Sequence, residues 1–288
     1  MSKLTILSMG WGVQSWVLAA MAALGDVPPI DFAIHSDTTW ERSLTYDFAQ
    51  QWTPWLKERG VRVVTVNDSE QAAKVGTAKT DIPAFSRDES TSIVDKFGGV
   101  GGNAHTTFEG NHGQLRRQCT SRWKIKPMRR FISQELDRRG LKKKPGVVTQ
   151  WLGITVDEVQ RARDSDVKYI KHDFPLLNKK MNRMDCLAWL DKNGLPSPGK
   201  SACVFCPYQN RQRWQTLKRQ GGKDWEVALM VDVHLRDKRP PYPLYVHPDR
   251  RPLNEAVIIP EDFGAVQGSM FDGIDDDDAE CDSGYCFL

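Results

Sequence analysis

Long apolar runs are missing from this chain: none approaches the ~18 uninterrupted apolar residues that a membrane-spanning helix requires. The N-terminus has no basic segment followed by an apolar one, so no secretory leader and no membrane partner are expected, and the expected location is the cytoplasm. Cysteine is scarce, with six in 288 residues. Without a leader, that number excludes a disulfide framework and reads as reduced thiols or ligands. Two phosphate-binding signatures are absent as well. There is no Gly-Lys-Ser/Thr, which excludes a Walker A loop, and the turn around Gly10 and Gly12 lacks the third glycine of the dinucleotide fingerprint. Residues 271–288 contain no Lys or Arg but seven acids. The net charge is +3, so setting those seven negative charges aside leaves +10 on the rest. A basic body suits phosphate-bearing partners, from nucleotides to RNA, DNA or a nucleoprotein complex. A solvated surface with an acidic tail accounts for the same charges.

What is present begins with Leu4-Thr5-Ile6-Leu7, a short run of strand formers. Ser8-Met9-Gly10-Trp11-Gly12-Val13-Gln14-Ser15 follows, then an apolar segment of helix length from Trp16 to Leu24, stopped by Gly25. Strand, small-residue turn and helix form a geometry that binds phosphate. The helix N-terminus carries unpaired N–H groups and partial positive charge. Gly10 and Gly12 are expected to supply left-handed dihedrals and a close backbone approach, and Ser8 and Ser15 hydroxyl donors. An ordinary βα turn would also need glycine.

Asp31-Phe32-Ala33-Ile34-His35 and Val61 to Val66 read as two further strands, and Val147 to Ile154 as another. Residues 43–59 read as a helix whose Phe48, Trp52 and Trp55 stripe belongs to the core. Strands alternating with helices predict a doubly wound, mostly parallel α/β sheet covered on both faces. Polar residues just past a strand's carboxyl end sit where such sheets bind ligands, which singles out Asp37 and Glu41. Residues 67–113 show little periodicity, and Gly98-Gly99-Val100-Gly101-Gly102 reads as a lid or link. Residues 210–237 read as helical, with Trp214, Leu217, Trp225 and Leu229 as core. Three segments result: a nucleotide-binding domain over 1–178, a helical Cys-containing subdomain over 179–258, and an acidic tail over 259–288.

Two stretches bring cysteine together with charge or with a second cysteine. Arg116 to Arg130 holds seven basic residues around Cys119, and neighbouring cations stabilise a thiolate. Cys203-Val204-Phe205-Cys206-Pro207 is a CxxC, 84 and 87 residues beyond Cys119. Two thiols so spaced clamp a metal or cluster, or form a redox pair. Cys186 could supply a fourth ligand. Buried free thiols would satisfy the same pattern.

These pieces, in this order, resemble the phosphoadenylyl-sulfate (PAPS) reductase family of the PP-loop, or adenine nucleotide alpha-hydrolase, superfamily. They are similar to PAPS-reductase-like proteins found in phages and actinobacteria. The turn over Ser8–Ser15 resembles the PP-loop, with Gln14 where most ATP-cleaving members carry Asp. Asp37-Thr38 and Glu41 match "DTG-x-E", with Thr39 in place of Gly. Cys119, Lys124 and Pro127 match "C-x(4)-K-x-x-P", with Gln118 where assimilatory APS reductases have the first of a Cys pair. Glu158 and Arg161 match "G-I-R-x-D-E-S-x-R", while Thr155 and Val159 depart from it. Glu280-Cys281 resembles the "ECG" tail that carries the reductase nucleophile, with Asp282 for Gly, and Cys286 lies nearby.

The resemblance implies an adenine nucleotide held at its phosphates by Ser8, Gly10, Gly12, Gln14 and Ser15, with Asp37 and Glu41 completing the binding set. Lys124, Arg161, Glu158 and Cys119 are the implied catalytic groups. Cleavage of ATP between its α- and β-phosphates, with Mg2+, would adenylate an acceptor for sulfur chemistry. Reduction of PAPS or APS to sulfite, with Cys281 or Cys119 attacking sulfur and a thiol electron donor, is the second enzyme reading. A catalytically degenerate nucleotide- or nucleic-acid-binding accessory of a phage or defence system is the third. Cys119, Cys186, Cys203 and Cys206 are the implied metal ligands, for a [4Fe–4S] cluster ahead of zinc. A dimer is compatible with the family.

Overall fold

The computed structural model describes residues 3–68, 82–87, 113–115, 118–199, 201–238 and 242–259. The Gly98–Gly102 stretch, the acidic tail and both Cys281 and Cys286 lie outside the described residues. The described chain falls into two compact units, one built from 3–68, 120–199 and 201–203, the other from 82–87, 113–115, 118–119, 204–238 and 242–259.

The first unit is an α/β sheet of five strands, all parallel. They are β1 (Leu4–Met9), β2 (Phe32–Asp37), β3 (Val63–Asn67), β5 (Val148–Trp151) and β6 (Ile170–Asp173), in the order β3-β2-β1-β5-β6. The chain runs outward from β1 in one direction, then crosses to β5 on the other side. The gap between β1 and β5 is therefore the point where the winding reverses, and such sheets bind ligands at the carboxyl ends there. Registers of Ile6 with Phe32 and Ile6 with Gln150 fix the rows.

Alternation along the strands divides two cores. Leu4, Ile6, Phe32, Ile34, Val148 and Ile170 face one side and pack on Met128, Ile132 and Leu136 of α3 (Lys126–Arg138). Leu7, Met9, Ala33 and Trp151 face the other side and pack on α1 (Val13–Leu24). Helix α2 (Ser43–Glu58) covers α1 with its aromatic stripe: Phe48, Trp52 and Trp55 ring centroids lie 5.3, 5.2 and 5.8 Å from Trp16. The stripe is partly buried and packs against the core, in line with its helical spacing. The short α4 (Pro175–Asn178) leads to α5 (Arg183–Lys192), which starts in a capping box between Asn182 and Asp185 and packs on α1.

The second unit holds the two-residue strands β4 (Phe85–Ser86) and β7 (Leu244–Tyr245), paired antiparallel. It also holds α6 (Arg211–Gln220), α7 (Gly222–Arg236) and α8 (Leu253–Ala256). The stretch read as helical over 210–237 forms two helices. Gly221 and Gly222 take φ of 60° and 62°, which ends α6 and starts α7. Buried Asp232 of α7 accepts from the N–H groups of Val246 and Leu253 and from Arg236, so one carboxylate fixes β7 and α8 to α7. Among the described residues, no helix is long and apolar enough to cross a membrane.

Helix α3 is tethered at its far end by charge. Glu135 accepts from Arg138 and Arg139, and Arg139 also reaches Asp31, whose other oxygen accepts from the Thr5 N–H. Arg138 and Arg139 hold the Glu135 carboxyl down at about 2. The folded state thus releases this proton more readily than the unfolded chain. The stabilisation is present above pH ~4.3, the usual range for Glu, and is lost as pH falls towards 2. Glu135→Gln is expected to flatten the fall in Tm between pH 5 and pH 2, measured by circular dichroism melts.

Candidate functional site

The turn after β1 is closed by its own residues. Ser15 Oγ accepts from the Gly10 N–H and donates to the Gly12 carbonyl, both at 3.2 Å. The left-handed residue is not a glycine, contrary to expectation: Trp11 takes φ 58°, while Gly12 is extended at φ −87°, ψ 170°. A left-handed non-glycine costs about 1–2 kcal/mol. The packing of the indole offsets that cost. Trp11 is buried, stacks on Trp16 at 6.3 Å and meets Phe48 edge-on at 6.2 Å. Gly12 is the N-cap of α1. It has no side chain to cap the first turn, and that turn has no acid, so the helix mouth keeps donors and partial positive charge for an anion.

A small cavity of about 50 Å³ opens at that mouth. Ser8, Gly10, Gly12, Gln14 and Ser15 line one wall, Gly153 and Arg161 another. A Cβ on Gly153 would stand 2.9 Å from the Ser15 nitrogen and 3.0 Å from the Gln14 carbonyl carbon. Glycine is required there by the close approach of two backbones. Arg161 is buried and ends a short 3₁₀ helix (Val156–Arg161), within which Glu158 leaves helical geometry to pair with it.

A larger cavity of about 270 Å³ lies on the α3 side, and Ser8 and Gly10 line it too. Lys124 enters from a π-helical turn (Thr120–Ile125) that runs into α3, a geometry frequent at functional sites. Ser36 Oγ donates to the Lys124 carbonyl at 3.0 Å, and the Lys124 ammonium lies 3.6 Å from Glu41. Glu41 is only 4% exposed, and its carboxylate also accepts from Ser201 at 3.1 Å and Thr38 at 3.4 Å. Farther along the cavity, Arg129 grips Asp166 through two nitrogens, and His172 contacts the Arg163 carbonyl at 2.8 Å. His35 also borders the cavity. Burial pushes its pKa down, and its Nδ1 donates to the Met9 carbonyl at 3.1 Å.

Asp37 lines neither cavity. It accepts from the Thr39 N–H at 2.7 Å and the Tyr46 hydroxyl at 2.8 Å, building the turn that carries Glu41. Thr39, standing where the resembling family has glycine, takes φ 64°.

The cysteines divide between the units: Cys186 and Cys203 belong to the first, Cys119 and Cys206 to the second. Cys186 is buried on α5, and burial pushes its thiol up to about 12. Cys203 Sγ lies 3.3 Å from Thr38 Oγ1, and its backbone bridges that of Glu41. Among the described residues, no three His, Cys, Asp or Glu side chains are grouped so as to hold a metal ion, so these residues offer no assembled site for a cluster or zinc.

The two cavities thus share Ser8 and Gly10, one leading to Arg161 and the other to Lys124. No protein-family model matches the chain. No curated protein matches it either. Among solved structures, it is similar to PAPS reductase from Candida auris in a phosphate complex. The identity is 14%, the TM-score 0.39, and the match covers 67% of this chain and 74% of that one.

Sequence reasoning passed over Gln150, Arg163, Asp164, Asp166 and His172, which also line the larger cavity, and took Arg129 only as one of the seven basic residues around Cys119. One signal was available: Gln150 is an amide in a short strand of a buried parallel sheet, between Thr149 and Trp151.

Three substitutions test this geometry. Gly153→Ala should lose about 1–3 kcal/mol in urea unfolding. Gly12→Ala, whose Cβ meets open space, should lose under about 1 kcal/mol. Thr39→Gly should gain stability, because relief of about 1–2 kcal/mol of left-handed strain exceeds the added flexibility of the unfolded chain, about 0.5–1 kcal/mol. The readout is a Tm raised by a few degrees.

Proposed function

We propose that this chain is an enzyme that binds an adenine nucleotide across the two cavities. The phosphates sit at the mouth of α1, between Gln14, Ser15 and Arg161, and the nucleoside extends along the α3 side past Lys124. The observation that carries this reading is that Ser8 and Gly10 line both cavities, so one polyanion can touch the helix N-terminus, Arg161 and the Lys124 side together.

The reaction this arrangement favours is cleavage of ATP between the α- and β-phosphates. An acceptor nucleophile attacks the α-phosphorus, the bond to the bridging oxygen breaks, and pyrophosphate leaves with the electron pair. The acceptor is left adenylated and open to attack by sulfur. Lys124 and Arg161 neutralise charge as it moves towards the leaving group. Mg2+, brought in with ATP, would supply further neutralisation, and the carboxylates of Glu41 and Asp164, which line the same cavity, would be its protein ligands.

One observation favours a second reading, reduction of PAPS or APS. The Cys203 thiol adjoins Thr38 and Glu41, and Glu41 lines the larger cavity. In that reaction a thiol sulfur attacks the sulfonucleotide sulfur, the nucleotide leaves, and a second thiol releases sulfite as a disulfide forms.

Incubation with ATP and Mg2+, and separately with PAPS, distinguishes the readings. Pyrophosphate is expected from ATP, and Arg161→Ala and Lys124→Ala should each slow its release by about 10²–10³-fold. Sulfite from PAPS with no pyrophosphate from ATP would establish the second reading. Binding of neither nucleotide in equilibrium dialysis would overturn both.

A further inference from the structure

The floor of the larger cavity holds a polar side chain for which the fold has little use. Gln150 lies on β5 between Ile6 of β1 and His172 of β6, and is 8% exposed. Strand positions on this face are otherwise largely apolar, as at Leu4, Ile34, Val148 and Ile170. The Gln150 Nε2 donates to Met128 Sδ at 3.3 Å. A thioether is a weak acceptor and no donor, so it takes the nitrogen end of the amide and orients it. The amide oxygen has no partner among the described residues. The oxygen is not sealed in the core but opens on the cavity that Gln150 lines, where a ligand donor can reach it.

We propose that Gln150 reads the edge of the nucleobase, its amide oxygen accepting from the exocyclic amine of an adenine. This rests on the nucleotide reading above and adds the residue that sets base preference. Met128 and Ile125, on the α3 side of the cavity, offer apolar contact to the face of a purine ring, while Gln150 meets its edge. Adenine presents an amine donor beside a ring-nitrogen acceptor, matching the oxygen and the remaining N–H of an amide. Hypoxanthine differs by placing a carbonyl where the amine stands. Two acceptors then face each other, and rejection follows from the hydrogen bond that hypoxanthine cannot form with the oriented amide.

The test compares AMP with IMP by calorimetric titration, on the wild type and on Gln150→Leu. These nucleotides carry the moiety that ATP and PAPS share. Inorganic tripolyphosphate serves as a probe of the anion subsite alone. In the wild type, AMP should bind at least about tenfold more tightly than IMP. In Gln150→Leu the two should fall within about twofold of each other, with tripolyphosphate affinity unchanged, because Gln150 lines the larger cavity and not the small one at the helix mouth. Equal binding of AMP and IMP by the wild type, or a preference that survives Gln150→Leu, overturns the assignment. The wild-type comparison needs no variant, so it decides the matter even if Gln150→Leu does not fold. If ATP or PAPS binds and only the base preference is missing, Gln150 alone is misassigned. If neither binds, the nucleotide reading has failed.

Discussion

The spacing between Gly153 and the first turn of α1 governs this site. With a hydrogen where other residues carry Cβ, the segment after β5 comes into contact with the backbone of Gln14 and Ser15. That contact brings Arg161 within reach of the helix mouth. It also puts the site at the crevice where the sheet's winding reverses, between β1 and β5. Shape and charge both follow from it. The helix contributes uncapped donors and the loop contributes the Arg161 cation, a combination that neither element holds alone.

The cations of the site rest against carboxylates. Lys124 lies beside Glu41, and Arg161 beside Glu158. Pairing moderates the cost of keeping charge in a partly buried cleft, where an unpaired ion is strongly destabilising. It also means that an anionic ligand competes with a resident carboxylate for each cation. Glu41 is positioned for this by groups distant in sequence: Ser201 and Thr38 bond to it, and the Cys203 backbone runs beside it. The turn that carries it is set by Asp37, Tyr46 and the left-handed Thr39.

Much of the fold is legible along the chain because parallel strands announce themselves. Leu4–Leu7, Phe32–Ile34 and Val61–Val66 are rich in apolar strand formers and spaced by helix-length segments; the first two lie in the sheet, and the third enters it at Val63. The aromatic stripe of α2 was equally plain from its spacing. Backbone conformation was less so. Glycine suggested a left-handed turn at Gly10 or Gly12, but tertiary packing of an indole moved that conformation to Trp11. The break at Gly221–Gly222 was written in two adjacent glycines and was hidden by strong helix formers on either side. The links from Glu41 to Lys124 and Ser201 are not written locally at all, since they join residues that only the folded sheet brings together.

The order of the strands also sets when the molecule can assemble. The central strand is made long before one of its partners: with Leu4 opposite Val148, that flank stays open until the chain has grown beyond residue 151. A nascent chain must therefore keep the apolar edge of β1 from pairing elsewhere while the long intervening segment is synthesised. Closing so long a loop is entropically expensive and slow. The crevice between β1 and β5, where Gly153 meets α1, is accordingly a late product of folding, unavailable to any ligand until that distant partner arrives.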